Sequence, residues 1–511
     1  MTTHVIVRKD SYHDSVLLMR ISRELKSQDG VEDAVVAMGT PVNRELLRAQ
    51  GYATREIERA GPNDLILAVK LAKGEPNRIE AVVDGLLSAR DEAAAAEVRP
   101  TSLTQAVRDF PDTNLVLISV PGEHAAREAR RALALGRHVM LFSDNVSLED
   151  EVSLKNDAAA RGLLMMGPDC GTAILNGKPL AFANVVRRGS IGIVGAAGTG
   201  IQEVSCCIHR LGGGVSQAIG TGGRDLSDAV GGTMMLLGLS ALTRDPKTTI
   251  LVVISKPPSE QVARKIVDTL AASPKKSVVH FVGAPPRPPT ADGRVVFADS
   301  LASTAEVACR LAGIEVPESP VAPASVTADL AAKLHPGATL KGLFCGGTTG
   351  HEALTLLSRT VPVRSNLHKK GDLRVDGAKP VNGHVLLDLG DDLFTQGRPH
   401  PMIEPALRNE RLALEMSDPN TGLILADVVL GFGSHADPAG LLAQGISDAR
   451  KVAAGRKRSL VAIASVTGTP DDPQGYDRQR QVLQDAGIIV ASDNRQAALQ
   501  TAAVLGRIRK S

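Results

Sequence analysis

The sequence predicts a multidomain α/β protein whose domains are built on parallel sheets. Three observations lead to this fold class. A chain of 511 residues is longer than one hydrophobic core can organise. Only 2% of its residues are aromatic and none is tryptophan, so Ala, Val, Leu and Ile must build the cores, which suits buried parallel strands. Short apolar runs alternate with helical segments along most of the chain, as right-handed βαβ crossovers require.

The first predicted unit is a small α+β module over residues 1–100. Its strand candidates are HVIVRK, VEDAVVAMG and DLILAVK, and its helix candidates are SVLLMRISRELKSQ and RIEAVVDGLLSARDEAAAA. No GxGxxG turn follows the first strand, so the dinucleotide-binding fingerprint is absent from this unit.

Three α/β units are predicted after the module, over residues 101–185, 186–325 and 326–511. The unit 101–185 contains the strand candidates NLVLISVPG, HVMLFSD and LLMMGPDCG. The Pro/Ala/Ser-rich segment 314–330 is predicted as the linker between the last two units. Each of those two opens with an apolar strand, a Gly/Thr turn and a helix, in IGIVGAAGTGIQEVS and LKGLFCGGTTGHEALTLL.

This pair of glycine turns is the most informative functional signal. Such a turn leaves backbone N–H groups free at a helix N-terminus, where the helix dipole also favours an anion. Two of them predict two helix ends that face one phosphate or acyl phosphate, although both could be ordinary strand-to-helix turns. The predicted phosphate- and substrate-binding residues of the two turns are Gly198, Thr199, Gly200, Gly347, Thr348, Thr349 and Gly350.

Another polar loop, GTGGRDL, follows an apolar strand and supplies Gly222, Gly223 and Arg224 as further predicted binding residues. The planar fork of Arg224 suits a phosphate or carboxylate, whereas the alternative is a surface ion pair with Asp225 or Asp228.

The densest polar cluster, GDDLFTQGRPHP, begins at Gly390 and also follows an apolar strand. Ligands of open parallel sheets bind at the carboxyl ends of strands, so Asp392, Arg398 and His400 are predicted catalytic residues. Arg398 suits an anionic substrate group and His400 suits proton transfer. Capping of a helix, or Mg²⁺ binding by adjacent aspartates, are the alternatives, and no metal site is predicted. His435 in GFGSHADPAG is a second acid/base candidate.

Several of these strings resemble a known family. NLVLISVPG, HVMLFSDNVSLED, GLLMMGPDCGTAIL, GSIGIVGAAGTGIQEVS and AIGTGGRDL resemble the α subunit of succinyl-CoA synthetase, and FCGGTTGHEAL resembles the turn that opens the C-terminal ligase domain of its β subunit. With LGDDLFTQGRPHPMIEPALRNE, DVVLGFGSHADPAG and VTGTPDDPQ, nearly the whole chain resembles the FdrA family, a fused form of these parts.

The resemblance implies a Rossmann-like CoA-binding-type domain over 101–185 and two flavodoxin-like, succinyl-CoA-synthetase-type open parallel-sheet domains over 186–325 and 326–511. The family is acyl-CoA synthetase-like. Some members are implicated as a subunit of oxamate carbamoyltransferase in allantoin breakdown, beside separately encoded partner subunits and a carbamate kinase.

The chain departs from succinyl-CoA synthetase at three places. The region 283–306, where the synthetase carries its phosphohistidine, contains no histidine. The segment beginning at Ser255-Lys256 stands where an acidic partner is expected, and the CoA-cradling glycine turn is missing. His280 lies in an apolar strand, where we expect a hydrogen-bonded structural histidine.

These departures favour carbamoyl transfer through an acyl phosphate, most simply oxalurate plus phosphate giving oxamate plus carbamoyl phosphate. A succinyl-CoA-synthetase-like acyl-CoA ligase and a non-catalytic metabolite-binding subunit are the alternatives. Phosphate or carbamoyl phosphate is the predicted substrate, no cofactor is certain, and CoA is kept as an alternative ligand.

Composition excludes other classes of partner. The net charge is +2 and no basic run is interleaved with aromatics, so no nucleic-acid partner is expected. No apolar stretch approaches the ~20 residues that span a bilayer. The five cysteines lack zinc spacing, which predicts a reducing cytoplasm. We expect a homo- or hetero-oligomer with partner subunits of the same complex.

Overall fold

The structure is a computed structural model, and it describes residues 2–11, 13, 15–26, 28–49, 51–52, 54–72, 76–95, 100–285, 287–318, 324–377, 379–395 and 398–508. The chain divides into two compact units, Met1–Pro111 and Asp112–Ser511. Among the described residues, no helix combines the length and the apolar character needed to cross a bilayer.

The N-terminal unit is the predicted α+β module. Its elements are β1 Thr2–Arg8, α1 Ser15–Lys26, β2 Val31–Met38, α2 Pro41–Ala49, α3 Arg55–Arg59, β3 Leu65–Leu71, α4 Pro76–Ala95 and α5 Leu103–Asp109. The sheet has the order β1-β3-β2 and is antiparallel throughout. The central strand β3 alternates between two apolar clusters, with Leu65 and Leu67 on one face and Ile66 and Ala68 on the other.

The second unit begins with a small parallel sheet of order β4-β5-β6. Its elements are β4 Leu115–Ile118, α6 Gly122–Ala134, β5 His138–Leu141, α7 Leu148–Ala160 and β6 Met165–Met166. Strands that alternate with helices in this way confirm the α/β interpretation of this region.

A seven-stranded sheet follows, with the order β13-β12-β11-β9-β10-β7-β8. Its elements are β7 Thr172–Leu175, β8 Lys178–Ala181, β9 Arg188–Ala196, α8 Gly198–Arg210, β10 Val215–Gly220, α9 Thr233–Arg244, β11 Ile250–Ser255, α10 Glu260–Ala272, β12 Lys276–Phe281, β13 Val295–Phe297 and α11 Leu301–Leu311. We call residues 172–311 the first lobe. The strands β7 and β8 belong to this sheet although they precede the predicted boundary at 185, and that boundary stays a prediction.

The last sheet has six parallel strands in the order β15-β16-β14-β17-β18-β19. Its elements are α12 Ala324–Ala332, β14 Thr339–Phe344, α13 Gly347–Leu357, β15 Arg364–Ser365, β16 Val385–Asp388, α14 Asp392–Thr395, α15 Ala406–Glu415, β17 Thr421–Val429, α16 Pro438–Gly455, β18 Val461–Thr467, α17 Tyr476–Asp485, β19 Ile489–Val490 and α18 Asn494–Ile508. We call residues 324–508 the second lobe.

Part of the predicted linker is helical. The segment 314–330 contains the start of α12, and Leu330 is buried in the core of the second lobe. The α12 sequence ASVTADLAA contains four alanines, the residue with the highest helix propensity, and burial of Leu330 adds to the stability of the helix. Residues 319–323 lie outside the described part of the chain.

The two lobes share one topology. When the strands of each lobe are counted from the one before its glycine turn, and the two-residue edge strand β15 is left out, the parallel strands lie in the order 2-1-3-4-5, namely β10-β9-β11-β12-β13 and β16-β14-β17-β18-β19. This is the flavodoxin-like order, in which ligands bind where the order reverses, beside the first strand. The predicted pair of similar open parallel sheets is therefore confirmed, and both glycine turns lie at these reversal points.

Candidate functional site

The two glycine turns touch each other. The Thr348 backbone N–H donates to Thr199 Oγ1 at 3.2 Å. The turns are also packed tightly, because a methyl group on Gly200 would lie 2.9 Å from Thr348 Cγ2 and one on Gly346 would lie 2.8 Å from Thr199 Cγ2. The N-termini of α8 and α13 therefore converge, as the sequence predicts.

Both helix ends keep backbone donors available. The first helical hydrogen bonds are made by the N–H groups of Ile201 and Gly350. Neither helix is capped by the side chain of its own N-cap residue, although Thr199 Oγ1 already accepts from the Thr348 N–H of α13. The first helical residues, Gly198 and Gly347, are partly exposed whereas the residues after them are buried. Backbone donors at two converging positive dipole ends are the arrangement that favours anion binding, and a phosphate at these turns stays a prediction.

A buried carboxylate holds the second glycine turn through hydrogen bonds. Asp427, fully buried in β17, accepts hydrogen bonds from the N–H groups of Cys345 (2.7 Å) and Gly346 (2.9 Å) and from the Thr349 hydroxyl (2.9 Å). Burial raises its pKa, and the nearby guanidinium of Arg408 acts in the opposite direction. Arg408 is itself 1% exposed and lies 3.4 Å from Cys345 Sγ. These two residues hold the turn and leave its outward N–H groups free.

A second buried carboxylate stands beside the end of α13. Asp388 ends β16, and its Oδ2 faces Gly347 so closely that a methyl group there would lie 2.5 Å away. The Asn366 amide bonds both the N–H and the carbonyl of Asp388 at 3.0 Å, and the Gly390 N–H bonds Oδ1 at 3.0 Å. Burial raises the pKa of Asp388 to about 7, while Lys256 opposes that shift. Asp388 can therefore exchange a proton near neutral pH.

Lys256 is the cation whose charge acts on this site. It follows β11, the strand beside β9, and its side chain is exposed. After desolvation by burial, its charge has the largest effect on the pKa values of Asp388, Asp169 and His351. Lys256 of the first lobe is therefore within electrostatic range of Asp388 and His351 of the second lobe.

Asp169 lies in a group of charged side chains from several segments. Its side chain is exposed, yet the surrounding protein desolvates it and raises its pKa to about 6. Lys256 and Arg224 lower this pKa, whereas Asp144 and Asp392 raise it. The charges of four separate segments therefore act on Asp169.

The GTGGRDL loop packs beside Pro168 and Asp169. Gly222 has a φ of +84°, and a methyl group on it would lie 2.2 Å from the Pro168 carbonyl oxygen, so only glycine fits. Gly223 adjoins Asp169 Oδ2. Arg224 forms an ion pair with Glu151 (2.8 Å) and donates to the Val146 carbonyl (2.7 Å), so its partner is neither Asp225 nor Asp228.

His400 lies against the same region as a neutral ring. Its Nδ1 accepts from the Met402 N–H at 3.2 Å, so the neutral ring carries its proton on Nε2. A methyl group on Gly390 would lie 2.5 Å from Nε2. Burial lowers the pKa of His400 to about 4. At neutral pH the ring is therefore a hydrogen-bond donor, a narrower role than the acid/base role the sequence suggests.

The other predicted catalytic residues lie farther from the helix ends or have partners. Arg398 pairs with Glu410 at 2.9 Å on the surface. Asp392 begins the short helix α14, and burial together with Asp144 and Asp391 raises its pKa. Asp391 Oδ1 caps the same helix through the Leu393 N–H. The roles of Arg398 and Asp392 stay predictions.

His435 lies in a loop that joins the lobes. Its Nδ1 accepts from the Asp437 N–H at 3.0 Å within the same turn. Gly431 in this loop packs against Ala183, and Asn184 bonds the Leu430 carbonyl (2.9 Å) and Asp472 (2.7 Å). The segments DVVLGFGSHADPAG and VTGTPDDPQ therefore contain residues that contact the first lobe. The acid/base role of His435 stays a prediction.

Sequence reasoning overlooked Asp388, Asp427, Asp169 and His351. A signal for the first two was present, because VLLD and LILAD each place a carboxylate in an otherwise apolar strand. Cys170 is buried, its pKa is raised to about 12 by burial, and it is unsuited to act as a thiolate.

Comparisons with known proteins define the family. The chain is 43% identical over 504 residues to the uncharacterized protein YahF of Escherichia coli (strain K12), and the match covers 98% of each chain. The chain belongs to the YahF family. Three family descriptions match along it: "AllF, heavy metal-associated domain" at residues 1–102, "CoA binding domain" at 186–283 and "CoA-ligase" at 343–504.

Relatives of known activity match part of this YahF-family chain. It is 27% identical over 185 residues to succinate–CoA ligase [ADP-forming] subunit alpha-2 of Trichomonas vaginalis. It is also 27% identical over 194 residues to succinate–CoA ligase [ADP-forming] subunit alpha 2 of Archaeoglobus fulgidus (strain ATCC 49558 / DSM 4304 / JCM 9628 / NBRC 100126 / VC-16). These matches span 35% and 37% of this chain and 59% and 64% of the relatives. The apo dinucleotide-forming acetyl-coenzyme A synthetase 1 of Ca. Korarchaeum cryptofilum aligns with a TM-score of 0.30 and 16% identity over 79% of this chain and 86% of its own.

The chain is therefore a succinyl-CoA-synthetase-like protein with CoA-binding and CoA-ligase domains. These findings fit the acyl-CoA ligase alternative better than the carbamoyl transfer that the sequence departures favour. The FdrA assignment and the cytoplasmic location stay predictions.

A heavy-metal site does not fit the residues present. Residues 1–102 contain no cysteine, and the described residues include no group of three or more His, Cys, Asp or Glu side chains placed to hold a metal ion. No step of the mechanism below passes through a metal.

Proposed function

We propose that this chain is the acyl-phosphate-handling subunit of a succinyl-CoA-synthetase-like acid–thiol ligase. The observation that carries the proposal is the contact between Thr348 and Thr199, which brings two helix N-termini that begin at glycine together at the reversal points of two matching sheets. CoA is then a substrate, and a separately encoded subunit supplies the nucleotide.

The proposed binding step uses the free N–H groups of both turns. The phosphate part of an acyl phosphate accepts hydrogen bonds from the backbone at Gly198 and Gly347, and Lys256 supplies a full positive charge. Because these donors are fixed by Asp427 and by the packing of the turns, they need no reorganisation during the reaction.

The proposed chemical step is attack of the CoA thiol on the acyl carbon. The new C–S bond forms, the C–O bond to phosphate breaks, and inorganic phosphate leaves. Asp388 in its ionised form accepts the thiol proton, and the Nε2–H of His400 is available to the carbonyl oxygen as negative charge develops on it. A pKa near 7 suits Asp388 to this exchange.

Carbamoyl transfer is the second candidate. It is favoured by the lack of histidine in 283–306 and by Lys256 in place of an acidic residue, because phosphorolysis of a carbamoyl donor needs no phosphohistidine. In that reaction phosphate attacks the carbamoyl carbon, the bond to the amide nitrogen breaks, and protonated Asp388 donates a proton to the leaving nitrogen.

The binding site is tested by calorimetric titration of the purified chain with acetyl phosphate and with inorganic phosphate. Gly198→Val should remove binding at the helix ends and leave the protein folded, because a methyl group on Gly198 would lie 3.4 Å from its nearest neighbour, Thr172 Oγ1. Gly455→Val is the control, since that glycine has open space around it. Unchanged affinity in folded Gly198→Val would refute the site.

The reaction is tested with the chain and its partner subunits. Acetyl phosphate plus CoA should give a thioester. Phosphate-dependent breakdown of oxalurate without thioester formation would establish the second candidate. Neither reaction is expected to leave acid-labile phosphate on a histidine, and its detection would contradict the proposed direct transfer.

A further inference from the structure

A small cavity lies at the carboxyl end of β12, on the flank of α13. Its volume is about 40 Å³, and its polar lining consists of His280, Arg287, Asp299, Thr355 and Arg359. A water molecule needs roughly 10–15 Å³ by this measure, so the space suits about three waters or one small oxyanion. The catalytic proposal above makes no use of this cavity.

His280, which lines the cavity, contains an unsatisfied acceptor. Its side chain is 4% exposed, and its Nδ1 lies 3.1 Å from the Ala298 carbonyl oxygen. A carbonyl can only accept, so Nδ1 carries the proton of the neutral ring and Nε2 holds a lone pair. Nε2 is buried and has no hydrogen-bond partner among the described residues. The expectation of a fully hydrogen-bonded strand histidine is therefore wrong for this nitrogen, and a ligand that donates a proton would satisfy it.

Two arginines supply positive charge at the rim. Arg287 stacks on the rings of Phe281 and Phe297, with centroids 5.9 and 6.0 Å from its guanidinium carbon. Arg287 and Arg359 are exposed, and neither forms an ion pair with a carboxylate of the described residues. The carboxylate in the lining, Asp299, already accepts from the Ser303 hydroxyl at 2.7 Å. The rim therefore keeps its donors for an anion.

We propose that this cavity is a second anion site, selective for hydrogen phosphate over sulfate. Hydrogen phosphate keeps one O–H at neutral pH, which donates to His280 Nε2, while its anionic oxygens accept from Arg287 and Arg359. Sulfate has the same shape but no proton, so it leaves Nε2 unpaired. The helix-end site offers backbone donors to either anion, and the carboxyl beside them, Asp388, has a pKa of about 7 and can carry its own proton there, so the site can bind phosphate or sulfate.

The site is tested by titrating the full-length chain with inorganic phosphate and with sulfate. Wild type should bind two phosphates and one sulfate. The double variant Arg287→Gln, Arg359→Gln should bind the second phosphate more weakly, by at least about tenfold in affinity per arginine, because each substitution removes a charge-assisted contact. Arg264→Gln, at an exposed arginine paired with Glu260, is the control.

Two outcomes separate this proposal from the proposed function. If Gly198→Val still binds one phosphate but no sulfate, both sites are supported. If Gly198→Val has no effect while the arginine variant loses phosphate, the helix-end site fails and this one stands. Equal stoichiometry for phosphate and sulfate in wild type would overturn the selective site.

A measurement on wild type covers the case in which the arginine variant does not fold. Phosphate should shift the ¹⁵N resonance of His280 Nε2, assigned with His280→Gln, and sulfate should not. No shift at saturating phosphate would contradict the proposal.

Discussion

The two lobes share a scaffold and differ in the charges placed on it. Both have the strand order 2-1-3-4-5 and a glycine turn after the first strand. The sixth residue of each following helix is a buried glutamate, Glu203 in α8 and Glu352 in α13. Glu203 accepts from the Asn494 N–H (3.1 Å) at the start of α18, and Glu352 accepts from the Leu301 N–H (2.7 Å) at the start of α11. Each lobe thus caps the last helix of the other.

The difference lies at the strand ends. In the first lobe β11 is apolar up to Ser255 and is followed by Lys256, whereas in the second lobe β16 ends at Asp388 and β17 contains Asp427. The first lobe therefore contributes the cation and the second contributes the carboxylates. The same scaffold therefore supplies both helix ends, and different residues at a few strand ends supply the charges.

Removal of the cation from the first lobe should have the largest effect. Lys256→Gln deletes the charge that faces the bound phosphate, and we expect kcat/KM to fall about 10²–10³-fold. Lys256 also holds down the pKa values of Asp388 and Asp169, so both should rise in the variant. Steady-state assays, with exposed Lys265→Gln as the control, check the rate. An unaffected rate would mean that the lobes do not divide the charges in this way.

Asp388→Asn tests the second lobe's contribution, with an expected loss of about 10²–10³-fold in kcat/KM. The pH profile separates the candidate reactions. Thioester formation needs ionised Asp388, so its rate should rise with pH through about 7, whereas phosphorolysis needs the protonated form and should fall above that pH. The asparagine variant should lack this limb, and a wild-type profile that is flat near pH 7 would count against Asp388.

Asp388→Asn should increase stability at high pH although it lowers activity. The folded-state pKa of Asp388, about 7, lies above its ordinary value of 3.8, so its protonated form favours folding and that contribution is lost as pH rises from about 4 to 7. Asp388→Asn should therefore gain stability relative to wild type at pH 8, by roughly 1–4 kcal/mol, and much less at pH 4. Thermal unfolding at the two pH values measures the difference.

His400→Gln should lower kcat/KM about tenfold, because the amide still donates one hydrogen bond. His400→Leu, which has no donor, should lower kcat/KM about 10²-fold. Both losses should be constant from pH 6 to 8, since burial lowers the pKa of His400 to about 4. A loss that varies with pH in this range would restore proton transfer as the role of His400.

The matched pair Glu203→Gln and Glu352→Gln should have the smallest effect on activity and tests the reciprocal capping. Burial raises the pKa of Glu352 to about 7, so glutamine imitates its protonated form. We therefore expect the free energy of unfolding of Glu352→Gln to change by about 1 kcal/mol or less at pH 6. Each glutamate accepts two hydrogen bonds, Glu203 from the Asn494 N–H and the Thr467 hydroxyl, and Glu352 from the Leu301 N–H and the Asn494 side-chain amide, so the two variants should lose similar amounts of stability. Denaturant unfolding compares them, and clearly unequal losses would argue against reciprocal capping.

The fold and the meeting of the turns were predictable because both depend on local patterns. A strand, a glycine turn and a helix are recognised within about fifteen residues, and parallel topology places both turns at strand ends. The partners of individual side chains were not predictable. Arg224 was predicted to bind a phosphate or carboxylate, with a pair to Asp225 or Asp228 as the alternative, yet its carboxylate, Glu151, lies on α7.

The sequence by itself determined the sheets, their crossover connections and the two helix ends that begin at glycine, because apolar periodicity and glycine act over one or two turns of chain. Only the tertiary structure decided which residues face those ends. Asp388 and Lys256 are ordinary polar residues in the sequence, and their roles arise from burial and from charges brought together from different strands. Desolvation and Coulomb interactions depend on distance in space, and the chain order of the residues does not reveal that distance.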